Sequence, residues 1–120
     1  MPIGEVLAVT IDCADPALLA RFWMAVAGGE IDPRTESGDW VALRNVPNLG
    51  NLGFQKVPES KAMKNRVHLD VEVADMGSAV AAAVSAGATV NGTTVEEPTN
   101  WFTVLLDPEG NEFCLVVRRR

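Results

Sequence analysis

Two stretches of the chain are near-copies: Leu7-Ala8-Val9-Thr10-Ile11-Asp12-Cys13-Ala14-Asp15 and Val67-His68-Leu69-Asp70-Val71-Glu72-Val73-Ala74-Asp75. In each, apolar residues alternate with polar or small ones, and Ala-Asp then opens a run rich in Ala, Leu and Val. The copies stand 60 residues apart in a chain of 120. A second echo, Asp39-Trp40-Val41-Ala42-Leu43 against Asn100-Trp101-Phe102-Thr103-Val104, stands 61 apart. One supersecondary unit has been duplicated, and duplicated halves usually enclose a shared cleft. A half of this size is marginal alone because it buries too little of its surface. The expectation is therefore one domain of two modules, 1–57 and 66–120, joined by a linker 58–65 carrying Pro58, Ser60 and several charges.

Each module reads as β-α-β-β-β. Alternation predicts a strand over Glu5 to Asp12, and Asp15 then caps a helix with Pro16 at its first position, where a missing N–H costs nothing. Leu19, Phe22, Trp23 and Val26 recur at helical spacing until Gly28-Gly29 ends the run. Short strands follow around Ile31, from Trp40 to Arg44, and from Asn51 to Val57. The second module repeats the order with a strand Arg66 to Val73, a helix Met76 to Ala86 ended by Gly87, and a strand near Val90. Strands Trp101 to Leu106 and Glu112 to Val117 close it, joined by the turn-forming Asp107-Pro108-Glu109-Gly110-Asn111.

Residues two apart on a strand share a face. If Val67, Leu69, Val71 and Val73 meet the helices, His68, Asp70 and Glu72 look the other way. Parity adds Ala8, Thr10, Asp12, Trp40, Ala42, Arg44, Gln55, Trp101, Thr103, Glu112 and Cys114 to that side. It leaves Phe102, Val104, Phe113, Leu115 and Val117 for the core. A wet sheet face accounts for the carboxylates one by one. Two tryptophans beside them argue instead for an apolar wall with convergent polar groups, the usual build of a small-molecule site. The candidate ligand-binding residues are Trp40, Gln55, His68, Asp70, Trp101, Glu112 and Cys114.

A net charge of −6 excludes nucleic acid as the main partner, since phosphate binding needs a basic surface and the basic cluster Arg118-Arg119-Arg120 reads as a solvated terminus. No apolar run reaches the length of a membrane span, and Met1-Pro2-Ile3-Gly4-Glu5 lacks the basic start of a signal peptide, so the expected address is the cytoplasm. Cys13 and Cys114 read as reduced, buried thiols.

The paired modules, the Arg21-Phe22-Trp23 of the first helix, His68-Leu69-Asp70 and the closing Asp107-Pro108-Glu109-Gly110-Asn111-Glu112-Phe113-Cys114 resemble the vicinal oxygen chelate superfamily, in its glyoxalase-like branch. That superfamily holds glyoxalase I, extradiol dioxygenases, epimerases and the bleomycin- and fosfomycin-resistance proteins. The resemblance implies an α+β fold in which two tandem βαβββ modules form a curved, mostly antiparallel sheet with helices on its outer face. It also implies a metal-ligand position at the head of the first strand and one in the last strand of each module. His68 matches one of these positions and Ala8 replaces another. Gln55 and Cys114 stand at the remaining two. A set of His68, Gln55 and Cys114 suits the hard ions of such enzymes poorly.

The leading expectation is a small-molecule-binding member with no cofactor, drawn by charge and cation–π contact to a cationic, partly aromatic compound. A divalent-metal-dependent lyase or dioxygenase with an atypical ligand set is the alternative, and a pure interaction module is a third. No catalytic residue is identified. Short relatives of this kind often pair, so a homodimer is expected.

Overall fold

The computed structural model describes residues 2–36 and 38–119. Arg120 of the basic tail and Met1 lie outside them. The chain divides into two compact units, 1–60 and 61–120.

Unit 1 runs β1 (Val9–Cys13), α1 (Pro16–Ala27), β2 (Glu30–Ile31), β3 (Trp40–Val46) and β4 (Gly50–Lys56). Its sheet order is β1-β4-β3-β2, with β1 and β4 parallel and the other pairs antiparallel. The Asp15 carboxylate accepts the Leu18 N–H at 3.2 Å, which starts α1. At the other end the Gly28 N–H donates to Met24 O. The turn into β2 requires glycine at position 29. Its φ is +86°, and a Cβ there would lie 2.8 Å from the Arg44 carbonyl oxygen. Between the caps, Leu19, Phe22 and Trp23 are buried, as are Val41, Leu43, Leu52 and Phe54 on the sheet that α1 covers. Phe22 and Trp23 meet edge to face with ring centroids 5.5 Å apart.

Unit 2 runs β5 (Asp70–Glu72), α2 (Met76–Ala86), β6 (Thr89–Val90), β7 (Val95–Glu96), β8 (Asn100–Leu106) and β9 (Glu112–Arg118). Its sheet order is β5-β9-β8-β6, with β7 also paired to β8, and β5 runs parallel to β9. Asp75 caps α2 by accepting the Ser78 N–H at 2.9 Å. The turn between β8 and β9 is held by the buried Asp107, whose Oδ1 accepts the N–H groups of Glu109 and Asn111, each at 2.9 Å.

Both helices span the residues their caps and periodicity predict. The first strands are shorter than alternation suggests: 5–8 and 66–69 lie outside β1 and β5, and Val67 is 74% exposed. Both are edge strands whose single ladder begins at Val9 and Asp70, so alternation continues where pairing does not. The two-residue β7 carries no sequence signal of its own. Arg118 and Arg119 of the basic tail are exposed, as expected, but both have partners. Arg118 donates two hydrogen bonds to the Glu72 carboxylate at 2.8 and 2.9 Å, and the Arg119 guanidinium lies 4.8 Å from the Trp101 ring centroid. No helix of the described residues is long and apolar enough to cross a membrane.

Candidate functional site

In unit 1 the register pairs Val41 with Phe54 and Leu43 with Leu52 on the buried face. The opposite face therefore carries Trp40 beside Gln55, Ala42 beside Gly53, and from β1 Thr10 and Asp12 beside Gly53 and Gln55. Trp40 is 41% exposed. Its indole lies against Gly53: a Cβ at that position would stand 2.8 Å from Trp40 Cζ2 and 3.1 Å from Thr10 Oγ1. The missing side chain is what lets the ring lie down on the sheet. Cys13 is buried, with its thiol donating to the Gln55 carbonyl at 3.6 Å.

Sequence reasoning missed Asp32. This buried carboxylate accepts from Arg34 at 2.9 and 3.1 Å and from Arg44 Nε at 2.7 Å. The Arg34 guanidinium, then that of Arg44, holds its pKa far below the usual carboxylate range. Arg44 is thus tied into a structural ion pair. Asp32 stands in a loop without periodicity, and only its folded neighbours reveal it.

In unit 2 the ladder sets Asp70 opposite Cys114 and Glu72 opposite Val116. His68 Nε2 lies 3.3 Å from Asp70 Oδ1, and one ligand atom from each of His68, Asp70 and Cys114 falls within 4.8 Å of the others. Burial, then the Asp70 carboxylate, pushes the Cys114 thiol above its ordinary value of 9.0, so it is protonated at neutral pH. The remaining carboxylates of this face have partners. Arg118 holds Glu72, while Glu112 accepts the Asn65 N–H at 3.0 Å and meets Lys61 Nζ at 3.1 Å. The Asn65 N–H is the main reason the Glu112 pKa is lowered. The face is less acidic than its residue list suggests.

Trp101 requires a correction. The β8–β9 register sets Trp101 opposite Val117, Thr103 opposite Leu115 and Leu105 opposite Phe113, on the buried face. Phe102 and Val104 are opposite Val116 and Cys114, on the face of His68 and Asp70. Trp101 and Thr103 therefore look away from Cys114, and Phe102 and Val104 look toward it. The ladders show why. Thr10 and Asp70, 60 apart, are equivalent strand positions, but Trp40 opposite Gln55 corresponds to Phe102 opposite Val116, 62 apart. The tryptophan echo at 61 is one residue out of phase, and one residue reverses the face.

The same ladders correct Gln55. The counterpart of Cys114, opposite Asp70, is the residue opposite Thr10, which is Gly53. Gln55 lies two positions further along, opposite Asp12. Of the two ligand positions that the resemblance assigns to unit 1, one thus holds the methyl group of Ala8, just before β1, and the other a glycine beneath Trp40. Neither offers a donor. The residues present do not fit the His/Glu set of the superfamily's hard-metal centres.

The family model for the glyoxalase-like domain matches residues 8–116. The chain belongs to that family. The glyoxalase-like domain also shares its fold with solved structures of low identity. A glyoxalase/bleomycin resistance protein/dioxygenase family enzyme from Burkholderia phytofirmans is 22% identical with a TM-score of 0.78, covering 95% of this chain and 98% of that one. A glyoxalase-related enzyme from Fulvimarina pelagi is 16% identical with a TM-score of 0.73, covering 96% and 88%. The fosfomycin resistance protein FosX from Mesorhizobium loti is 11% identical with a TM-score of 0.72, covering 98% and 93%. No curated protein matches the chain.

Proposed function

We propose that this glyoxalase-like protein binds a small, flat organic molecule on the sheet face away from the helices, without the superfamily's catalytic metal. The observation that carries the reading is Trp40 lying against Gly53, an exposed aromatic surface where the metal-dependent pattern calls for a donor. A broad ring resting on glycine is a stacking surface. Unit 2, taken by itself, presents the partly exposed Phe102, Val104 and Val116 on the face of His68, Asp70 and Cys114. With Glu72 and Glu112 neutralised, stacking and apolar contact favour the ligand more than a cationic charge does. Cytoplasmic location and assembly as a homodimer belong to the same reading.

The test is native mass spectrometry of protein purified through a chelator. A retained organic ligand and a mass of two chains are expected. Trp40→Ala should weaken binding of the released compound by about 1–3 kcal/mol. Turnover that requires added manganese, nickel or iron would favour the lyase or dioxygenase reading instead.

A further inference from the structure

The Asp32 carboxylate is saturated, whereas the guanidiniums around it are not. Its Oδ1 accepts from the Arg34 backbone N–H at 3.0 Å and from Arg34 Nε at 3.1 Å, and its Oδ2 from Arg34 Nη2 at 2.9 Å and Arg44 Nε at 2.7 Å. A guanidinium has more donors than these bonds use. Both terminal nitrogens of Arg44 and the Nη1 of Arg34 make no hydrogen bond among the described residues. The Arg44 and Arg34 side chains are 47% and 78% exposed, while that of Asp32 is 4% exposed. Two positive charges thus share one buried negative charge, and the surplus positive charge meets solvent. Its position on the sheet follows from the ladders. Leu43 is on the buried face, so Arg44, opposite Glu30, is on the open face with Trp40 and Ala42. The Asp32 N–H donates to Ala42 O at 2.9 Å, so Asp32 flanks Ala42 on one side as Gly53 does on the other. Adjacent strands are about 4.8 Å apart, which puts Asp32 roughly 10 Å from the Gly53 on which the indole lies.

We infer that the flat ligand of unit 1 is an organic anion, its ring on Trp40 and its carboxylate, or an oxyanion of like shape, on the guanidiniums of Arg44 and Arg34. This rests on the stacking reading of Trp40 and adds the sign of the ligand's charge to it. A planar guanidinium matches a carboxylate with parallel N–H donors. Asp32 already holds both side chains in place, so less rotamer freedom is lost when an anion binds. Ala42, between the ring and the guanidiniums, presents only a methyl group. Two other strand residues of this face are carboxylates. Glu30 opposes Arg44 in the ladder, but its Oε1 accepts from Asn45 Nδ2 at 2.9 Å and it forms no ion pair with Arg44. Asp12 stands in the row of Gln55 and Trp40, at the other end of the face. The chain's net charge of −6 suggests a cationic ligand, and the local pairing of Asp32 with two arginines reverses that sign.

2-Naphthoate and its neutral amide, 2-naphthamide, share a ring system and differ in charge, so calorimetric titration of the whole chain with each separates stacking from charge. Naphthoate is expected to bind about tenfold tighter or more, and added NaCl to weaken naphthoate alone. Arg44→Gln and Arg34→Gln should each cost naphthoate about three- to tenfold and leave naphthamide unchanged. Arg44→Lys should recover part of that loss, and Glu30→Gln, which removes the opposing charge, should tighten naphthoate. Trp40→Ala should weaken both probes. Equal affinity for the two probes, naphthoate binding indifferent to both arginine substitutions, or no binding of naphthoate overturns the inference. The comparison of probes and the salt dependence use the unmodified chain, so they decide the matter even if a variant unfolds. Naphthamide binding that depends on Trp40, with no preference for naphthoate, would leave the stacking reading standing and remove the anion. Arginine-dependent naphthoate binding that Trp40→Ala spares would do the reverse.

Discussion

Gly53 matters through what it lacks. An added methyl would meet the Trp40 ring at 2.8 Å and Thr10 Oγ1 at 3.1 Å, so the indole must lift from the sheet. Gly53→Ala is therefore expected to shift Trp40 emission and to cost about 1–3 kcal/mol in unfolding experiments. In the Trp40→Ala background the cost should shrink, because the two residues share one contact. Equal costs in both backgrounds would refute the contact. Asp32 makes a different prediction. Its pKa is lowered in the folded chain by Arg34 and Arg44, so the stability it contributes is complete above the unfolded value of about 3.9. That contribution is lost as pH falls below this value towards the folded pKa. Asp32→Asn should lower the Tm at pH 7, and the gap from wild type should narrow progressively below about pH 4. A gap as wide at pH 2 as at pH 7 would show that the ion pairs are not its cause.

The two helices have equivalent caps but unequal burial. In α1, Leu19, Ala20, Phe22 and Trp23 are buried, whereas in α2 only Ala83 is. α2 is built from Ala, Val, Ser and Gly, so it has good intrinsic propensity over most of its length but little apolar volume to hold it on β9. Local opening should cost less where fewer apolar side chains are released to water. Hydrogen exchange followed by mass spectrometry should show α1, β3 and β4 exchanging more slowly than α2. An α2 as protected as α1 would mean that another surface covers its exposed side. The short strands follow the same physics, because β1 and β5 persist only where a ladder on β4 or β9 supports them.

At the scale of the whole molecule, two units of one ancestry have diverged in chemistry while keeping their topology. Both pair their first strand in parallel with their last and both start their helix at Ala-Asp. At equivalent ladder positions unit 1 places Gly53 and unit 2 places Cys114, and opposite them stand Thr10 and Asp70. Unit 1 presents an exposed indole lying on a glycine, and unit 2 a cluster of polar side chains. Family membership does not choose among lyase, dioxygenase and binding roles, since one fold carries them all. The choice rests on these side chains.

The duplication, both helices with their limits, the Asp107 turn, the family, and the shared side of His68 and Asp70 were legible from the sequence. Each rests on neighbours along the chain: a capping carboxylate, a terminating glycine, or a period of two or 3.6. The side taken by Trp101 and the counterpart of Cys114 were decided only in the tertiary structure. Both depend on register between distant strands, where a shift of one residue turns a side chain to the other face. The tryptophan echo stands 61 residues apart while the ladder equivalence there runs at 62, so the resemblance between Trp40 and Trp101 misleads. Local periodicity says that a strand has two faces, but the hydrogen bonds and packing of the assembled sheet decide which face is buried.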